Sequence, residues 1–210
     1  MTPRLRGLGF DTHVICRRDP GLPAVEIRDG VPIHRVAVVG PRWLASLYFT
    51  VAATWRVTAL RPSVIQVHQF LSTSRVGLLS LHFTRAHLIA VAHRSGPIGD
   101  VQRYGSRPSG RRRVRALARR AAALVGVSEA IGDELRSLKP AGAVEVITNG
   151  IDVDRFRPAG VDSRQAMRSR LGLDGDAIVF CFVGRLAPEK RIEDLLLAWP
   201  SCQGREPRAR

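Results

Sequence analysis

Lysine is nearly absent from this chain. Only Lys139 and Lys190 are lysines, and the rest of the 33 basic side chains in 210 residues are arginines. Against 18 acidic residues they leave a net charge of +15. An anionic partner is one explanation, whether nucleic acid, an acidic membrane surface or a phosphorylated substrate. Arginine-favouring codon usage is the other, since the arginines are scattered along the whole chain. Their densest cluster is Arg111, Arg112, Arg113, Arg115, Arg119 and Arg120. Aromatic residues make up 6% of the chain and none is interleaved with that cluster. Base-stacking platforms are therefore missing where a nucleic-acid binder needs them. A basic nucleic-acid-binding α/β protein is the alternative reading, and no nucleic acid is expected as a partner.

Other absences narrow the choice. No apolar run reaches the roughly 18 residues that span a bilayer. The longest candidate, Trp43 to Trp55, contains Ser46, Thr50 and Thr54. Met1 to Phe10 carries charge but no apolar leader core, so no secretory signal is expected. The three cysteines, Cys16, Cys181 and Cys202, have no metal-ligand spacing. Cys16 and Cys181 sit in apolar runs and read as small core residues in a reducing cytoplasm. No G-x-G-x-x-G follows a strand and there is no P-loop. What remains is 45% hydrophobic residues, enough to bury a core.

Short apolar runs alternate with helical patterns. Strands are expected at Thr12–Cys16, Val31–Val39, Ser63–His68, His87–Ala92, Leu124–Val127 and Val144–Thr148. Helices are expected over Trp43–Leu60, Ser72–Phe83 and Arg111–Ala123, with a further helix capped by Ser128. Arg94–Ser109 reads as a loop. Continuous apolar strands separated by helices imply a parallel sheet, hence a Rossmann-like domain over residues 1–150. Ligands of such sheets sit beyond the carboxyl ends of the strands, here marked by His68, the His93–Gly99 loop, Ser128 and Asn149-Gly150. Residues 151–175 read as a linker with a short helix at Ser163–Leu171. A second α/β unit is expected from 176 to 210, with a strand at Ala177–Val183 and a helix at Ile192–Trp199.

The run Gly184-Arg185, followed by Lys190, has the form of an anion grip. A glycine after a strand permits close backbone approach, and two cations five residues apart suit a diphosphate. Spacing alone fits equally an ordinary strand–helix turn with two solvated charges.

Three segments in order, "VGVSEAIGDEL" (Val125–Leu135), "VEVITNGIDVDRFRP" (Val144–Pro158) and "VGRLAPEKRIEDLLLAW" (Val183–Trp199), resemble the GT-B glycosyltransferases of family 4. The resemblance is carried by residues 85–199. It implies a partial GT-B fold: an acceptor-side Rossmann-like domain and the first strand–helix of a second one. It implies retaining transfer of a sugar from a nucleotide-sugar donor to an unknown glycan or lipid-linked acceptor, with no metal or other cofactor. Gly184, Arg185 and Lys190 would hold the donor diphosphate, and His93 would face the sugar as the catalytic candidate, with His68 second. Asn149, Gly150 and Asp152 mark the domain crossover. Two family features have no counterpart here: an N-terminal strand with a glycine-rich loop before Thr12, and a C-terminal pair of glutamates. The chain is therefore expected to be an inactive fragment. Trp43–Leu60 is expected to pack on the sheet. The competing reading is peripheral contact with the anionic inner face of a membrane through Trp43, Leu44, Leu47, Tyr48 and Phe49 and the Arg111–Arg120 helix.

Overall fold

A computed structural model describes residues 2–210, which divide into two compact units at Gly150/Ile151. The first unit opens with a short helix α1 (Thr2–Gly7) and strand β1 (Val14–Arg17). Strands β2 (Val25–Arg28) and β3 (Val31–Val36) follow as a hairpin. Its turn is Asp29-Gly30, with φ of 51° and 76°. Two successive positive φ values match strand twist, and Asp-Gly tolerates them. The sequence reading missed β2, although Asp29-Gly30 is a strong short-range hairpin signal. The three strands form a small mixed sheet in the order β1-β3-β2.

Helix α2 (Arg42–Leu60) ends where Arg61 turns left-handed at φ 47° ahead of Pro62. Strand β4 (Val64–His68) leads to α3 (Ser72–Ser80) and β5 (His87–Ala92). The expected loop after β5 contains a helical turn, Gly96–Ile98, and a short helix α4 (Gln102–Gly105). Helix α5 (Pro108–Arg120), β6 (Ala123–Gly126), α6 (Glu129–Ser137) and β7 (Ala143–Val146) complete the unit. Ser128 caps α6, its hydroxyl accepting from the Ile131 N–H. Strands β4-β5-β6-β7 form an all-parallel sheet. The parallel domain is thus an α/β unit with two sheets, where a single sheet was expected.

Alternate residues of β4 are buried (Ile65, Val67), whereas β5 is buried nearly throughout, as its apolar run predicts. Phe70, Leu88, Leu117, Leu124 and Leu135 are the largest fully buried side chains of this core. Helices α2, α3 and α5 lie side by side in one layer, α3 touching both neighbours, and α6 covers β6 and β7.

The second unit holds α7 (Val161–Arg170), a helical turn at Pro188–Lys190 and α8 (Ile192–Arg205). The expected strand at Ala177–Val183 does not form. Only Ile178 bridges to Ala209, and Phe180 donates to the Arg210 carbonyl. A strand is defined by its neighbours, and this segment finds none long enough to build a ladder. Cys181, expected in a core, is exposed for the same reason.

Candidate functional site

The carboxyl ends of β4 and β5 are tied together by one side chain. Asp100 is 4% exposed. Its Oδ1 accepts from the Phe70 N–H at 3.0 Å, and its Oδ2 accepts from the His93 N–H at 2.8 Å. Both amides belong to residues that have just left their strands, where the sheet ladder no longer supplies acceptors. A second carboxylate, that of Glu134 on α6, accepts from the Gly96 N–H at 2.6 Å and pins the same loop. Sequence reasoning treated Arg94–Ser109 as a loop. Nothing local in the sequence signals that Asp100 and Glu134 turn inward to hold it.

This clamp brings together two residues singled out from the sequence. His68 Nδ1 and His93 Nε2 share a hydrogen bond of 2.9 Å, with ring centroids 5.2 Å apart. One ring carries the proton between them. Burial, and secondarily the facing His93, hold the His68 pKa below its ordinary 6.5. His34 is shifted the same way, by burial, then by Arg56 and His13. Both rings thus bind protons less readily in the folded chain than in the unfolded one. Stability is then complete above 6.5 and falls as pH drops below it. Glu26 titrates below its ordinary 4.5 because Arg35 and Arg28 donate to it, so it adds nothing in that window. Urea unfolding should show a lower midpoint at about pH 5.5 than at about pH 7.5, and His68→Gln should shrink the difference. An unchanged difference in that variant contradicts the assignment to His68.

Beside the histidines lies an open cavity of about 1020 Å³ bordered by five arginines, Arg17, Arg75, Arg103, Arg107 and Arg113, with no carboxylate among its lining residues. They come from β1, α3, α4, the α4–α5 connection and α5. Arg113 is held in place by donating to the Phe70 and Leu71 carbonyls at 3.3 Å each. Burial, and secondarily the neighbouring Arg75, push its pKa down. Arg17 lies over the Phe49 ring at 5.2 Å and donates to Ser72 Oγ at 3.2 Å. Such a set of planar donors fits an anion with several oxygens. The sequence reading singled out Arg113 only as a member of a basic helix, whereas the fold turns it inward, away from Arg111, Arg112 and Arg115.

Gly184, Arg185 and Lys190, expected from the sequence on the donor side, lie in the second unit. Arg185 is well exposed and paired with Glu189 at 3.2 Å. Lys190 is exposed at the end of a single helical turn, two residues before α8 begins at Ile192. A Cβ on Gly184 would come within 2.9 Å of the Phe182 ring, so the absent side chain makes room for a neighbour in the chain itself. Near the crossover, Asp152 Oδ1 accepts from the Arg155 N–H at 3.0 Å in a local turn.

Comparison with known proteins bears on the whole chain. D-inositol 3-phosphate glycosyltransferase of Streptomyces bingchenggensis is 28% identical over 235 residues, covering 100% of this chain and 50% of that protein. The enzyme of the same name from Geodermatophilus obscurus is 31% identical over 208 residues, 91% of this chain and 45% of that one. The chain spans about half the length of the curated relatives it matches. Among solved structures, HepE of Anabaena in complex with UDP-glucose is similar at a TM-score of 0.63 and 18% identity, covering 86% of this chain and 46% of that one. A sucrose-phosphate synthase structure from Thermosynechococcus elongatus is similar at 0.57 and 16% identity, over 81% of this chain and 91% of that one. These likenesses establish the shared fold. A family model described as Glycosyltransferase Family 4 matches residues 1–155, and the chain belongs to that family.

Proposed function

We propose that this protein serves the retaining transfer of a sugar from a nucleotide-sugar donor to the hydroxyl of an acceptor that itself carries a phosphate. The observation that carries the reading is the arginine-bordered cavity at the end of β4, next to the His68–His93 pair. Ligands of parallel sheets sit at this end. Relatives named for D-inositol 3-phosphate supply an acceptor of the right charge. In this reading Arg17, Arg75 and Arg113 receive the acceptor phosphate, and His93 faces the transferred sugar. Arg185 leaves Glu189 to meet the donor diphosphate together with Lys190, over the Gly184 backbone. Two cations there neutralise the leaving phosphate without a metal. The chain by itself binds acceptor but transfers no sugar.

Calorimetric titration tests the acceptor side. D-inositol 3-phosphate should bind, and unphosphorylated inositol should bind at least about tenfold more weakly, since a charge-assisted contact contributes roughly 1.5–3 kcal/mol. Arg113→Met should remove that preference. Equal affinity for the two polyols sinks the acceptor assignment. Release of UDP from UDP-glucose by the purified chain at ordinary enzymatic rates sinks the claim of inactivity.

A further inference from the structure

Helix α2 is apolar on both sides. Its inner side, with Ala45, Phe49, Ala53 and Val57, is buried in the core. Its outer side carries Trp43, Leu44, Leu47, Tyr48, Val51 and Trp55, exposed at 70, 41, 54, 54, 58 and 70%. At 100° per residue these six fall on one arc with no charged residue among them. A surface helix ordinarily turns charged residues outward, and a helix apolar all round is ordinarily covered. At about 150–250 Å² per large side chain, these exposures amount to on the order of 700 Å². The largest apolar patch on a typical monomer is about 300–600 Å², so the face exceeds what water normally touches.

Two observations say what covers it. Two tryptophans and a tyrosine on one helical face are the residues that settle at a membrane–water boundary. Helix α2 shares its layer with α3 and α5, and α5 turns Arg111, Arg112, Arg115 and Arg119 to solvent. Among the described residues none of these four makes an ion pair with a carboxylate. An apolar aromatic helix therefore lies in one layer with an uncompensated cationic one. Among the described residues no helix is long and apolar enough to cross a bilayer.

We propose that the outer faces of α2 and α5 form a docking surface for an anionic lipid bilayer, with Trp43, Leu47, Tyr48 and Trp55 entering the headgroup boundary and the α5 arginines meeting lipid phosphates. This surface is independent of the acceptor reading, because none of these residues borders the arginine cavity.

Co-sedimentation with vesicles of phosphatidylcholine, with and without phosphatidylglycerol, tests the proposal. The full chain should pellet with the anionic vesicles, stay in the supernatant with the neutral ones, and be released by high salt. Tryptophan emission should shift to the blue on binding. The double variant Trp43→Ser/Trp55→Ser should lose at least about tenfold in partitioning, and Arg111→Glu/Arg115→Glu should lose a similar amount. An unchanged urea midpoint in both variants separates lost docking from lost folding. Equal recovery in the supernatant with both vesicle types overturns the proposal. So does a dimer in sedimentation velocity that disappears in the tryptophan variant while vesicles bind nothing. Duplex DNA binding that survives the tryptophan variant, with no vesicle binding by the parent, overturns it in favour of a nucleic-acid surface.

Discussion

Replacing Asp100 with alanine should lower the unfolding free energy by roughly 3 kcal/mol, more than any other single polar substitution near the site. The carboxylate is buried and accepts two backbone N–H groups, one from Phe70, itself fully buried, and one from His93. A hydrogen bond to a charged group contributes about 1.5–3 kcal/mol, and a buried donor left without a partner costs about 1–3 kcal/mol. With a urea slope of about 1–3 kcal/mol/M, the midpoint should drop by about 1–3 M. Asp100→Asn should fall between parent and alanine, because its amide retains one acceptor but directs N–H groups at a backbone N–H. The alanine variant should also lose binding of D-inositol 3-phosphate. The segment it releases, from Phe70 to Leu71, supplies the two carbonyls that aim Arg113 into the cavity. A midpoint that moves by less than about 0.5 M refutes the clamp as a source of stability.

How much of this was legible in the sequence depends on where each signal is stored. Strands β4, β5 and β6 were readable because VIQVH, HLIAVA and ALVG are apolar runs between helical patterns, and buried parallel strands have that composition. The β2–β3 hairpin was readable from Asp29-Gly30 but was missed, because VEIR alone is half charged and resembles surface. The segment from Ala177 to Val183 has a strong strand composition and still forms none. Composition describes what a residue prefers, while a ladder needs a partner strand, and that is a property of the rest of the chain. The candidate site divides in the same way. His68 and His93 were reachable from the general rule that sites lie at the carboxyl ends of strands. The arginine cavity was not. Its five guanidinium groups are spread from residue 17 to residue 113 in a chain full of arginines, so only the folded arrangement distinguishes Arg113 from Arg112. Likewise the apolar run of α2 could be read as a core helix or as a membrane contact, and composition cannot tell which of its residues the fold buries: Phe49 is buried, Trp43 and Trp55 are not.

Gly110→Ala provides the sharpest conflict between local preference and tertiary packing. Gly110 is the third residue of α5. Alanine in a helix interior is ordinarily preferred over glycine by about 1 kcal/mol, so propensity alone predicts a gain. The packing predicts a loss. A Cβ built on Gly110 collides with the carbonyl oxygen of Tyr104, a backbone atom that no rotamer change can move aside. Helices α4 and α5 must separate, and overpacking of this kind costs typically 1–3 kcal/mol. The net expectation, a loss of up to about 2 kcal/mol, is a melting temperature lower by up to about 8 °C at 2–4 °C per kcal/mol for a domain of this size. The same separation displaces Tyr104 and Arg107, which border the cavity, so affinity for D-inositol 3-phosphate should fall with stability. Gly105→Ala is the control. It closes α4 five residues earlier with nothing within 4 Å of its added Cβ, and it should leave the melting temperature unchanged or slightly raised. If Gly110→Ala instead melts higher than the parent, helix propensity has prevailed and the close approach of α5 to the Tyr104 carbonyl is not a feature of the folded protein.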